Sequence, residues 1–212
     1  MTSPSPIPSD IAFSPAVKAI QTLKGSRAGY RRMEESGGWR HVITPDLAAF
    51  VAAQTSVFLA TASANGQPYI QHRGGPAGFL RVLDAQTIAF ADFKGNRQYI
   101  TLGNLSENPA AYIFMIDYAN RRRIKMWGTA RVVEDDPALL EALSVEGYKG
   151  VPEQALIFTL KAWDMNCPQH IPQRFEAADV AAALEARDQR IAELEAQLAR
   201  FQNAQTDGPA QT

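Results

Sequence analysis

Four short stretches of this chain carry residues whose types and order suit chemistry on an anion. The first, Gln71-His72-Arg73-Gly74-Gly75-Pro76-Ala77-Gly78-Phe79, sets three glycines within five residues beside an arginine. Glycine lets backbone N–H groups approach an anion closely, and a guanidinium meets phosphate through two parallel hydrogen bonds. The same glycines equally permit a plain wide hairpin. The second, Asp92-Phe93-Lys94-Gly95-Asn96-Arg97-Gln98, reads as a strand end, a glycine turn and a helix beginning near Asn96. A helix N-terminus offers free N–H groups and a positive dipole end, so with Lys94 and Arg97 it would form a phosphate seat. The plainer reading is an N-cap among solvated charges, and the Gly-Lys-Ser/Thr signature of a P-loop is absent.

The third stretch, Arg121 to Arg131, sorts cleanly at period two. Ile124, Met126, Gly128, Ala130 and Val132 take one face, and Arg123, Lys125, Trp127, Thr129 and Arg131 the other. Such a basic face with one Trp could hold a flat anion, touch a nucleic-acid backbone, or stand solvated as a charged edge that resists aggregation. The fourth, Trp163-Asp164-Met165-Asn166-Cys167-Pro168-Gln169-His170-Ile171-Pro172, is held extended by its two prolines. Cys167 beside His170 invites a nucleophile reading, but a lone Cys is more often a small buried hydrophobe. His41, His72 and His170 are scattered without ligand spacing, so no metal is expected.

The elements that must position these residues follow from patterning. Ser14-Pro15 opens an amphipathic helix through Leu23, broken by Gly25 and Gly29, and Thr44-Pro45-Asp46 opens a second. Runs of β-branched and aromatic residues predict strands at 57–63, 67–73, 79–83, 87–92, 111–117, 122–133 and 156–165. Asn65-Gly66 supplies a tight hairpin turn. Helices are expected at 96–105 and 137–143, and the short strands at such spacing predict an antiparallel barrel. Val180, Leu184, Arg187, Ile191, Leu194, Leu198 and Phe201 follow each other at spacings of 4, 3, 4, 3, 4 and 3, a heptad seam with one polar member. That stripe must be covered by the chain's own barrel or by a partner chain. The expected organisation is an arm at 1–44, a barrel domain at 45–175, an amphipathic helix at 176–203 and a frayed tail at 204–212.

Composition narrows the classes. In 212 residues, 21 Lys and Arg balance 22 Asp and Glu, a formal charge of −1 that argues against a nucleic-acid clamp. The balance is uneven: residues 176–212 hold seven acids against three Arg. The single cysteine excludes an internal disulfide and suits a reducing cytoplasm. No apolar run is long enough to span a membrane, and MTSPSPIPSD lacks the basic and apolar regions of a signal peptide. A soluble cytoplasmic protein is expected.

In their order, FLATASANGQPYIQHRGGPAGFLRVLD, then TIAFADFKGNRQYITLGNLSENPAAYIFMIDYANRRRIKMWGTARVV, then AWDMNCPQHIP resemble the pyridoxamine 5′-phosphate oxidase-like family of FMN-binding split-barrel proteins. The likeness is strongest to a bacterial branch that pairs HRGGP with CPQHI. It implies an α+β, mainly β fold: an FMN-binding split β-barrel, here with a C-terminal heptad helix. It further implies a homodimer with FMN bound, not covalently, in a groove between subunits.

By that resemblance Gln71, His72 and Arg73 line the flavin ring and ribityl chain, with the Gly74 and Gly75 backbone near the ring nitrogens. Asp92 and Phe93 match the following strand. Asn96 and Arg97 match the Ser-Arg of the family's Ser-Arg-Lys phosphate motif, while Gln98 stands in place of its Lys. Phosphate charge then falls to Arg97, Arg73 or Lys94. Arg123 occupies the place of a flavin-contacting Gln, where a cation would favour a reduced, anionic flavin. Trp163 lies near a C-terminal Trp of the oxidases. The oxidases' Arg-x-His substrate motif is missing, which argues against vitamin B6 oxidation itself. The function implied is a flavin-dependent oxidoreductase passing a hydride or electrons between small molecules. The alternative is a non-enzymatic flavin, deazaflavin or haem binder or sensor on the same barrel.

Overall fold

A computed structural model describes residues 7–206, the last three as backbone alone. Seven antiparallel strands form its centre: β1 (Ser56–Ala62), β2 (Pro68–Gly74), β3 (Arg81–Val82), β4 (Thr87–Phe93), β5 (Ala110–Asp117), β6 (Arg122–Val133) and β7 (Pro152–Met165). Their order in the sheet is β2-β1-β5-β6-β7-β4-β3. Alternation decides which side each residue faces: in β1, Val57, Leu59 and Thr61 point inward, and across the ladder so do Ile113, Met115, Ile124 and Met126. These side chains meet Ile88, Phe90, Leu156 and Phe158 to fill a split barrel.

The helices plug and cover this sheet. Helix α3 (Pro45–Ala52) begins at Thr44, whose hydroxyl accepts from the Leu47 N–H, and drops Leu47, Phe50 and Val51 into the core. Helix α5 (Pro137–Leu143) lays Leu143 over Ala89, Ala91, Ala155 and Ile157 on the outer side, so β4 and β7 are buried on both faces. Helix α4 (Ile100–Glu107) follows β4. It begins four residues after the expected start at Asn96. Arg97 and Tyr99 both adopt left-handed backbone at φ 60° and 54°, and that conformation cannot continue a helix.

The N-terminal arm has one more α-helix than the pattern predicts. After α1 (Pro15–Leu23), Gly25 at φ 78° turns the chain, but Gly29 sits inside α2 (Arg27–Glu35) without breaking it. Side-chain pairing outweighs the glycine: Arg27 is ion-paired along the helix to the buried Glu34 and bonds Gln21 Oε1 of α1 at 2.8 Å, and Lys18 of α1 lies 3.6 Å from Glu34 Oε1. The expected strand at 79–83 shrinks to β3, because Phe79 and Leu80 turn into the core instead. Conversely, β7 starts four residues earlier than expected.

A second compact unit comprises residues 118–121 and the chain from His170 onward. Within it Gln173 Nε2 donates to the Ala119 carbonyl at 2.9 Å, Arg174 lies over the Tyr118 ring at 4.8 Å, and α6 (Ala177–Thr206) extends for 30 residues. The helix thus continues three residues past the expected start of the tail, whose remainder at 207–212 lies outside the described residues. The first six residues of the expected proline-rich arm lie outside them too. No helix among the described residues is long and apolar enough to cross a membrane.

Strands β6 and β7 shift register where Trp127 opposes Ala162 and Gly128 opposes Leu160, which leaves Lys161 as the bulge. Gly128 permits this crossing. A Cβ there would lie 2.1 Å from the Thr159 carbonyl oxygen and 2.6 Å from Phe158 Cζ. Gly128→Ala should therefore cost about 2–3 kcal/mol of stability by overpacking, read as a lower urea midpoint with an unchanged denaturant slope.

Candidate functional site

Rolling the sheet brings its two ends together, and the residues that meet there are polar. On β2, Gln71 and Arg73 stand opposite Leu59 and Val57 and so point into the barrel. From the far end, Asp92 of β4 faces inward beside its ladder partner Gln154 of β7, whose Nε2 donates to Asp92 Oδ2 at 3.0 Å. Arg73 Nε lies 3.2 Å from Asp92 Oδ1, an ion pair that spans the split. Its Nη2 donates to Thr101 Oγ1 at 3.4 Å. That hydroxyl donates to Gln71 Oε1 at 3.3 Å, where Tyr69 OH also donates at 3.0 Å.

Arg73 is under-satisfied in this setting. Its side chain is only 16% exposed, and although Nε is close to Asp92, its N–H direction misses a hydrogen bond and the atom is buried without an acceptor. A guanidinium carries five N–H donors, and desolvated charge without hydrogen bonds is costly. The side chains here border a cleft of about 280 Å³.

The rim is the 94–99 loop between β4 and α4. Asn96 Oδ1 accepts from the Gln98 N–H at 3.3 Å, as a local turn and not as a helix cap. Arg97 Nε donates to Tyr99 OH at 2.9 Å, and that hydroxyl donates to Glu153 Oε1 at 2.9 Å. This clasp joins the two left-handed residues of the loop to β7. The bond to Tyr99, reinforced by Glu153, raises the Arg97 pKa, so the group stays a guanidinium at every working pH. The cleft therefore holds two arginines and two carboxylates (Asp92 and Glu153), formally neutral yet strongly polar.

Of the residues singled out in the sequence, Gln71, Arg73, Asp92, Phe93, Asn96 and Arg97 share this cleft. The others stand elsewhere. His72 faces outward, 2.8 Å from Ser56 Oγ. Gly74 ends β2 packed on the His72 ring, while the Gly75 and Gly78 N–H groups donate to the carbonyls of Thr55 and Ala52. Those glycines thus close a loop onto α3 and its exit. Lys94 is exposed, with its own N–H bonded to Val151. Trp163 is buried at 6% exposure, nine residues along β7 from Gln154 and hence ~30 Å away along the strand. Its indole N–H donates to the Val42 carbonyl at 2.9 Å, and Arg40 lies over its ring. Tyr99, Thr101, Glu153 and Gln154 complete the cleft but carry no signal in the sequence, because only the β4–β7 register and the loop's path bring them to Arg73.

Arg123, opposite Ile116, belongs to the sheet's outer face with Lys125 and Trp127. That face is covered by the chain's own arm: Trp39 stacks on Trp127 at 4.5 Å and 19°, with Phe13 5.0 Å behind it. Lys125 lies against both indoles and pairs with Asp164 at 3.2 Å. Tyr112 meets Trp127 edge-on, and burial, with Asp164 adding to it, pushes its phenol up to about 12.

Residues 43–167 match the sequence profile of pyridoxamine 5′-phosphate oxidase, more than half of the chain. The chain belongs to the pyridoxamine 5′-phosphate oxidase family. Crystal structures of similar shape include HupZ of group A Streptococcus, at 23% identity over 63% of this chain and 99% of that one, TM-score 0.46. An FMN-binding protein from Syntrophomonas wolfei matches at 13% identity over 69% and 97%, TM-score 0.44. A Clostridium acetobutylicum protein related to general stress protein 26 matches at 18% identity over 62% and 92%, TM-score 0.42. No curated protein matches the chain. The pyridoxamine phosphate oxidase segment takes in the whole sheet and the whole cleft, and leaves out α1, α2 and α6.

Two outcomes follow for this family member. Asp92→Ala strands Arg73 as a buried, unpaired charge and should cost about 3–5 kcal/mol. Adding Arg73→Ala should recover part of that loss, a coupling measurable by a double-mutant cycle in urea. Tyr112 titrates at 10.0 when unfolded and about 12 when folded, so unfolding favours proton release and stability falls as pH rises through that window. Tyr112→Phe should leave stability unchanged at pH 7–9 and improve resistance to alkali above pH 10, read from unfolding midpoints across pH.

Proposed function

We propose that this chain binds FMN at the split of its barrel, as a homodimer, and works as an oxidoreductase on small molecules. The observation that carries the reading is Arg73, an arginine almost out of water at a cleft wall, paired to one carboxylate and bonded to Thr101 while its Nε still lacks an acceptor. A phosphate is the ligand group that meets such a cation with parallel charge-assisted hydrogen bonds. Mixed walls suit the rest of a phosphorylated sugar alcohol: hydroxyls donate to Asp92 and Glu153 and bond the amides of Gln71 and Gln154. The cleft's 280 Å³ falls just below the ~300–1,000 Å³ usual for a whole ligand, which supports a site whose remaining wall comes from a second subunit.

When bound, the flavin supplies a reversible two-electron carrier. This chain's residues then have separable tasks. Arg73 neutralises phosphate charge and Asp92 keeps Arg73 in place. Thr101 and Gln71 orient the chain linking phosphate to ring. Arg97, freed from its clasp on Tyr99, adds a second cation. Gln98 brings no charge to the position where the family has Lys, so Arg73 carries correspondingly more.

Selectivity for the phosphate tests this. The wild-type chain should bind both FMN and riboflavin, followed by quenching of flavin fluorescence, with FMN clearly tighter. Arg73→Gln should raise the FMN Kd by ~30-fold, the loss of one hydrogen-bonded charge contact, and leave riboflavin unchanged. Arg97→Gln, at an exposed position, checks the same site with less risk to folding. Equal losses for both ligands, or a chain that ignores FMN, would overturn the proposal.

A further inference from the structure

Helix α6 holds an apolar seam that the flavin reading does not use. Val180, Leu184, Ile191, Leu194, Leu198 and Phe201 are 44–69% exposed, and every described side chain of this 30-residue helix is exposed. Exposed scattered apolar residues are ordinary, but here they fall in one stripe that repeats every seven residues. A straight helix drifts from a seven-residue repeat by about 20° per heptad, so a stripe kept over three heptads fits a supercoiled pair of helices.

The charges flanking the seam choose the partner and its direction. With Leu184, Ile191 and Leu198 at a, the d positions are Val180, Arg187, Leu194 and Phe201. The g positions are then Ala183, Arg190 and Gln197, and the e positions Ala181, Asp188, Glu195 and Gln202. The only charge at g is positive and the only charges at e are negative. Antiparallel helices pair g with g and e with e, which offers like charges and no attraction. Parallel helices in register pair g with the e position five residues on, so Arg190 meets Glu195 of the partner subunit, and symmetry supplies the contact twice. Arg190 now pairs with Glu193 at 2.8 Å, with both side chains 61% exposed, a surface contact that exchanges at little cost.

The seam carries the same message. In the central heptad Ile191 at a and Leu194 at d are the shapes that favour two strands, and the single polar Arg187 at d penalises any shifted alignment that buries it against apolar layers. In register it lies beside Asp188 of the partner subunit.

We infer that α6 forms a parallel, in-register, two-stranded coiled coil with a second copy of this chain. The inference needs nothing from the cleft, and its test is run with and without added FMN. In full-length protein carrying Cys167→Ser, Leu184→Cys at a and Phe201→Cys at d are made as separate variants and mildly oxidised, since antiparallel helices set a opposite d. Parallel pairing in register requires each variant alone to form a disulfide-linked dimer. Cross-linking only when the two variants are mixed would overturn the inference in favour of antiparallel pairing, and no cross-linking at all would overturn it in favour of a seam covered by its own barrel. Charge reversal checks the register without depending on one thiol geometry. Arg190→Glu should slow cross-linking of Leu184→Cys about fivefold at low salt, and adding Glu195→Arg should restore it. Failure of that rescue would also overturn the assigned pairing.

Discussion

The ion pair between Arg73 and Asp92 is the contact on which the geometry of the cleft depends. In strand order, β2 and β4 stand near opposite ends of the sheet, so no ladder hydrogen bond can hold them together. A barrel left split in this way exposes backbone edges unless something else fixes them. Charge attraction in a largely desolvated gap, with Gln154 and Thr101 tying each partner to its neighbours, supplies a fixed spacing there. The same atoms make the gap useful, since a pair of buried charges that is incompletely hydrogen-bonded is poised to accept polar groups. Stability and binding therefore pull on one arginine.

The opposite side of the sheet solves a different problem. Strand β6 presents Arg123, Lys125 and Trp127 outward, a surface that alone would look suited to an anion or a nucleic acid. The arm lays Trp39 over Trp127, and Lys125 ends between two indoles and Asp164. Cation–π contacts and one ion pair absorb the charge at the face's centre. Trp163 and Arg40 pin the arm's exit to β7. This is where composition misleads most, because a basic strand read without its cover appears available.

Much of the fold was legible. Period-two alternation assigned both faces of β6 correctly, and Thr44, Pro45 and Asp46 marked the start of α3 because capping is a local matter of hydrogen bonds. The departures share a cause. Local propensity makes Gly29 a breaker, whereas Gln21 and Lys18 of α1 hold Arg27 and Glu34 and so stabilise α2 from outside that window. The spacing predicts a cap at Asn96, but Arg97 and Tyr99 are held in left-handed backbone by a clasp to Glu153, 54 residues after Tyr99.

The sequence by itself determined most of the strands and the heptad helix, since each is written in spacing along one segment, and its ordered motifs carried the resemblance to the family. It also named Gln71, Arg73, Asp92, Phe93, Asn96 and Arg97. Only the tertiary structure decided that these six share a cleft while His72, Arg123 and Trp163 stand outside it. The reason is register. A side chain's face is set by alternation within its strand, but its neighbours are set by which residue of another strand lies opposite. That choice depends on the closure of the whole barrel, including a bulge at Lys161 that no local pattern announces.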